Sequence, residues 1–331
     1  HGRDAQRFQQ HDADGELDNE ETGALNVVVR NSGFQSLLNT TVTVTSPTAG
    51  ISFPNGNTFA VPASAAFSSV TVAIPVRAQG FAAIGGAVFD VEVNDPALDN
   101  AAINQFELRV NANVVPNSSL VDTFESDTAW TKQLASLYGP VPAGTMSDTF
   151  YWGQLAYSAT DHTLYGPNLG GPFVTWLVSP PLAMSASDPF VMTYDSAHSF
   201  EAPNWDGGVI EYSTNDGATW ADITTLTGAT LTPAYSGALT ATSFFPSRLA
   251  YRATNAAWPN FNTYRIDIPA ASPVAGQTIR LRFGVAADSS AADYGWEIDN
   301  VNVSGVSNTP FTAVVPHVGG CNAGLFGDGF E

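Results

Sequence analysis

Six carboxylates fall within ten residues near the start of the chain: Asp12, Asp14, Glu16, Asp18, Glu20 and Glu21. Charges this close repel one another unless water or a cation neutralises them. Calcium suits such a run, since it takes roughly six to eight oxygens from flexible loops. The alternation Asp12, Asp14, Glu16, Asp18 matches the first half of an EF-hand loop. Leu17 then stands where that loop needs glycine, and Gly23 where it needs a bidentate glutamate, so an EF-hand proper is not expected. A solvated acidic segment and a calcium loop of another geometry both remain open. For the latter, Asp12, Asp14, Asp18 and Glu21 are the candidate ligands.

Catalytic signatures are sparse. The histidines, His1, His11, His162, His198 and His317, include no pair four residues apart, so the HExxH helix of zinc peptidases is absent. There is no GxSxG elbow and no GxxxxGK phosphate loop. His198, between Ser196 and Glu201, is the one place where a base could activate a serine, and Glu201 with Glu211 the one notable carboxylate pair for glycoside hydrolysis. Neither outweighs a structural role for these residues, and the expectation is a chain without catalytic residues. Trp205, beside Asn204 and Asp206, and Trp258, before Pro259, are candidate ligand-binding platforms on which sugar rings could stack. Trp220 and Trp296 sit in strand patterns and are expected in the core.

The elements that must position these groups are strands. The chain has 331 residues with 29 Gly and 21 Pro, scattered among short Val, Thr, Ser and Ala runs that favour strands and turns. Its formal charge of -20 repels phosphate backbones and anionic headgroups, so no nucleic acid partner is expected. The absence of any long apolar run argues against membrane insertion. His1 opens a polar segment, so no signal peptide is expected to be retained. One cysteine, Cys321, permits neither an internal disulfide nor a cysteine zinc site.

Period-two alternation marks the strands. It runs through Val42 and Val44, through Val70, Val72, Ile74 and Val76, through Phe89, Val91 and Val93, and through Phe106, Leu108 and Val110. Pro75 cannot donate a ladder bond, which places its strand at a sheet edge. Further on, Gly208–Ser213 and the residues after Asn215-Asp216-Gly217 read as a hairpin. In the last strand Trp296 and Ile298 share one parity and Val301 and Val303 the other, so a bulge is expected at Asp299-Asn300.

Residues 122–130 (DTFESDTAW), 177–182 (LVSPPL), 206–213 (DGGVIEYS), 216–220 (DGATW) and 295–301 (GWEIDNV) resemble, in order and spacing, jelly-roll modules of the MAM and reelin-repeat kind. Bacterial versions are appended to secreted metallopeptidases of the fungalysin and immune-inhibitor-A types. Residues 12–23 with Asn31-Ser32-Gly33 resemble the opening of adhesion-type immunoglobulin-like modules, although Glu20 stands where that family carries glycine. Residues 325–331 (LFGDGFE) are similar to a short tail on secreted proteins of some Gram-negative bacteria. The resemblance implies structural calcium in the second module, with Glu125, Glu201, Asp206 and Asp299 as the matching carboxylates.

The expected fold is all-β, an N-terminal immunoglobulin-like sandwich over residues 1–113 followed by a MAM-like jelly-roll sandwich over 120–305. Residues 114–119 are expected as a linker and 306–331 as a C-terminal tail. The expected role is that of a secreted, extracellular, calcium-stabilised module for adhesion, substrate presentation or assembly. Its partner would be a protein or polysaccharide surface, with self-association through the tail, where Phe311–Val315 can add to a sheet edge. A carbohydrate-binding module, a filament subunit and a jelly-roll hydrolase are the alternatives.

Overall fold

The computed structural model describes residues 8–9, 16–98, 100–126, 129–136, 152–288 and 290–317. Two compact units emerge: residues 1–114 with 158–160 and 314–331, and residues 115–157 with 161–313. Among the described residues there are strands, turns and a 3-10 turn at Ile223–Thr225, with no α-helix. The all-β expectation holds.

In the first unit two four-stranded sheets form a sandwich. One runs in the order Phe8–Gln9, Thr22–Arg30, Ser69–Ala78, Ile51–Ser52; the other runs Thr58–Ala60, Thr41–Thr45, Gly85–Asn94, Ala102–Val110. The alternating apolar residues close one core: Leu25, Val27, Val42, Val44, Val72, Ile74, Val76, Phe89 and Val91 are buried, as period two requires. Ile51–Ser52 pairs only with Ala78 and Arg77, which leaves the sheet edge open at Pro75, where no donor is needed.

The second unit is also a two-sheet sandwich. Its larger sheet runs Gly153–Ser158, Asp161–Asn168, Asp293–Ser304, Phe190–Ser199, Asn262–Ile268, Thr230–Thr232, with Val121–Asp122 also paired to Asp293–Ser304. The facing sheet runs Thr131–Ser136, Phe173–Val178, Thr278–Ala286, Gly207–Ser213, Ala221–Asp222. Between them lie Trp152, Tyr194, Ile210, Leu281, Phe283, Trp296 and Ile298. Trp296 needs room that only glycine leaves: a Cβ on Gly208 would meet its ring at 2.7 Å. The expected hairpin forms, with Glu211 facing Asp222 and positive φ at Asp216 and Gly217.

The break in parity in the last strand is a bulge. Thr193 faces Asn302 while Asp195 faces Asp299, so Tyr194 opposes two residues. Asn300 takes φ 49, Val301 and Val303 turn inward, and Asp299 and Asn300 face outward.

The residues expected as a linker form part of a strand, Ala112–Ser119, paired with Phe311–Pro316. The partner lies far downstream, so no local periodicity could reveal it. The apolar Phe311–Val315 segment therefore pairs within its own chain. Cys321 and residues 318–331 lie outside the described residues.

Candidate functional site

Strand ends at one edge of the second unit bring three acids together. Glu201 follows the Phe190–Ser199 strand, Asp206 precedes Gly207–Ser213, and Asp288 follows Thr278–Ala286. The pairing of Gly207 with Ala286 sets Asp206 beside Asp288. The ligand oxygens of Glu201, Asp206 and Asp288 lie within 4.8 Å of one another, the one such group among the described residues.

Asp206 is fully buried and Asp288 nearly so. Asp206 Oδ1 accepts the Asp288 backbone N–H at 2.7 Å, and Oδ2 accepts Asn168 Nδ2 at 2.7 Å. Burial pushes the Asp206 carboxyl up to about 6 despite those hydrogen bonds, with repulsion from Asp288 and Glu201 adding to it. Burial also raises Glu201, helped by Asp288 and Asp293. Ion pairs of this unit engage Glu125, Glu211, Asp216, Asp222 and Asp267; among the described residues none engages the three clustered acids. Glu201 Oε2 and Asn168 Oδ1 are buried without a hydrogen-bond partner.

This donor set fits calcium. It is all oxygen, and it is acidic enough that ionising all three groups costs free energy unless a cation joins them. Oxygens on opposite sides of a calcium ion lie at most about 4.6–5.2 Å apart, and the three groups, within 4.8 Å of one another, are close enough to share one such ion.

The other sequence candidates lie elsewhere. Asp299 faces Asp195 at the bulge, whereas Glu201 follows Ser199, which faces Gly295. Four residues of strand separate these positions, about 13 Å, so one ion cannot serve both. Around Asp299 a second acidic centre forms: burial raises its carboxyl to about 7, with Glu125, Asp161 and Asp195 adding repulsion. Glu125 accepts the His162 backbone N–H at 3.1 Å and meets His162 Nδ1 at 2.8 Å.

Asp12 and Asp14 lie outside the described residues. Their neighbours in the acidic run are matched mostly by basic groups: Glu16 pairs with Arg109 at 2.5 Å, Glu20 with Arg77 at 2.9 Å, and Asp18 with His317 at 2.9 Å. Glu21 Oε2 instead accepts the Asp18 backbone N–H at 2.9 Å. Glu20, at the glycine position of the resembling modules, takes φ 65, a conformation that costs any residue with a Cβ.

No family model and no curated protein matches the chain. Among solved structures it is similar to the K1 cleaved adhesin domain of Lys-gingipain from Porphyromonas gingivalis W83, at 12% identity and TM-score 0.28, covering 54% of this chain and 98% of that one. It is also similar to carbohydrate-binding modules of the β-sandwich superfamily, at 9% identity and TM-score 0.25, covering 86% and 98%. A third is the collagen-binding domain of Erysipelothrix rhusiopathiae surface protein RspB, at 10% identity and TM-score 0.19, covering 90% and 96%. Likenesses this loose carry no functional argument.

Trp205 is exposed in the loop that precedes Asp206. Trp258 is half-buried, its ring centroid 5.0 Å from that of Tyr294. His198 is buried among Phe200, Tyr251, Tyr264 and Trp296, and the Ser196 hydroxyl accepts the Trp296 indole N–H at 2.8 Å. Asp288 and Asn168 were not among the sequence candidates. Both lie at strand ends whose neighbours are fixed by pairing rather than by local pattern.

Proposed function

We propose that the chain is a calcium-stabilised, non-catalytic binding module that works outside the cell, displaying a surface to a protein or polysaccharide partner. The observation that carries this reading is the Glu201–Asp206–Asp288 group, with the unpartnered oxygens of Glu201 and Asn168 beside it. Glu201, Asp206, Asp288 and Asn168 would hold the ion, and bound calcium would let the carboxylates ionise without mutual repulsion. Extracellular calcium sites typically have Kd near 10⁻⁴–10⁻³ M, roughly, which matches the millimolar ion outside cells. The burial of His198 and the engagement of Ser196 with Trp296 favour a structural role for both over hydrolysis. No helix among the described residues is long and apolar enough to cross a membrane.

The test is thermal unfolding and titration calorimetry with calcium. With Kd of about 10⁻⁴ M and about 1 mM free ion, binding stabilises by about 1.4 kcal/mol, a rise in Tm of about 3–6 °C for a unit of this size. Asp206→Asn should remove most of that rise. An unchanged Tm in chelator, with no heat of calcium binding, would overturn the proposal.

A further inference from the structure

On the larger sheet of the second unit, Trp296 and Ile298 face the core, so Glu297 between them points to the opposite face. It is nevertheless only 3% exposed, because tyrosines close over it. Tyr165 stands directly across from it on the neighbouring strand. Tyr157 Oη donates to Glu297 Oε2 at 2.8 Å, Thr163 Oγ1 donates to the same oxygen at 2.9 Å, and Tyr294 Oη donates to Oε1. Among the described residues no basic group pairs with Glu297; hydroxyl donors alone meet its charge.

A buried carboxylate without a counter-ion is costly, and here it locks aromatic side chains in place. Tyr157 and Tyr294 have their phenolic hydrogens committed to Glu297, so each phenolic oxygen keeps lone pairs to accept from a ligand. Burial and the Glu297 hydrogen bond hold the Tyr157 phenol up to about 12, so it stays a neutral donor. The Trp258 and Tyr294 ring centroids are 5.0 Å apart, as are those of Tyr294 and Tyr165. Three partly exposed rings thus lie in successive contact, neighbours tilted by 58° and 54°, with the Tyr157 ring, 58% exposed, tied to them through Glu297.

The geometry points to a glycan-binding platform on this face, built from Tyr157, Tyr165, Trp258 and Tyr294 and held in position by Glu297, for a neutral polysaccharide. A pyranose offers an apolar C–H face to stack on rings and hydroxyls to donate to phenolic oxygens, and a cluster of rings held in place supplies both at low entropic cost. Asp161 and Asp293 on the same strands and the net charge of -20 disfavour uronate or sulfated chains. The inference rests on the binding-module reading and adds its ligand class.

Affinity gel electrophoresis tests it, with soluble mixed-linkage β-glucan, xylan, galactomannan and starch as neutral probes and chitosan and alginate as charged ones. Runs at about 0.5 M NaCl screen charge attraction. The full chain in calcium should be retarded by at least one neutral polymer, with Kd weakened about tenfold or more in Tyr157→Ala and in Trp258→Ala. Tyr157→Ala also strips one of three hydroxyl donors from buried Glu297, so its Tm should fall; Tyr157→Phe loses the same donor but keeps the ring, so it should show the same fall in Tm while keeping most of the binding. Retardation by no neutral polymer, or retardation that both alanine variants retain, overturns the assignment. So does binding confined to chitosan and lost in salt, which would mark charge attraction. Calcium binding is read separately by calorimetry, so a failed glycan screen leaves that proposal standing.

Discussion

The buried ring of His198 predicts a measurable acid sensitivity. It is 2% exposed, packed among aromatic rings, and its Nδ1 has no partner among the described residues. Burial lowers its pKa from 6.5 to about 4. Between those values the unfolded chain binds a proton that the folded chain refuses, so stability falls as pH drops through that window. Integrating the linkage gives a loss of about 0.1 kcal/mol at about pH 7.5, about 1.4 kcal/mol at about pH 5.5 and about 3 kcal/mol at about pH 4. Asp206 and Asp299 act in the opposite sense. Their carboxyls are raised to about 6 and about 7, so their folded forms hold protons that the unfolded chain releases until the pH reaches its value near 3.8.

A pH profile of the wild type alone therefore mixes two signs, and the diagnostic quantity is a difference. Urea unfolding of the wild type and of His198→Gln, at one calcium concentration and at those three pH values, cancels the carboxylate contributions wherever the sites act independently. Any constant packing cost of glutamine shifts all three points equally. The expected result is a stability gap that moves by about 3 kcal/mol in favour of the variant between about pH 7.5 and about pH 4. A gap that stays constant, or moves the other way, would show that His198 is not held neutral by burial.

Three further outcomes follow from the second unit. Asn168→Ala removes an amide oxygen from the acidic group and a donor from Asp206; calorimetry should show calcium affinity weaker by about tenfold, in line with the loss of an outer-shell partner or a ligand. Glu211 is 6% exposed and bridges Arg248 and Arg282; Glu211→Gln leaves Arg248 with Asp222 but takes the carboxylate from Arg282, and should cost about 3 kcal/mol in urea unfolding. Gly208→Ala forces a Cβ to 2.7 Å from the Trp296 ring; a loss of about 1–3 kcal/mol with a changed near-ultraviolet signal is expected.

The fold was legible where one strand face reports on itself. Val42 and Val44, or Val72, Ile74 and Val76, alternate with polar neighbours because a sandwich strand has one dry side, and that pattern survives whatever the strand pairs with. The Asp299-Asn300 bulge was legible for the same reason, since a parity switch between Ile298 and Val301 has few other solutions. The pairing of Ala112–Ser119 with Phe311–Pro316 was not legible, because register between distant segments leaves no trace in either one.

The acidic groups divide along the same line. Counting carboxylates correctly flags an electrostatic cost, but the remedy depends on partners that only the fold supplies. Near the start of the chain, Arg109 and Arg77 pair with Glu16 and Glu20, and the His317 ring meets Asp18, so the described members of the densest acidic run in the sequence largely find partners within the protein. Glu201, Asp206 and Asp288 are spread across 88 positions of sequence, from 201 to 288; the family resemblance flags Glu201 and Asp206, though grouped with Glu125 and Asp299, and nothing local flags Asp288. Strand register gathers them at one edge with no basic partner among the described residues. In a chain with 31 acidic and 11 basic residues, protein cations cannot reach every cluster, and the group left without one is where an external cation has the most to offer.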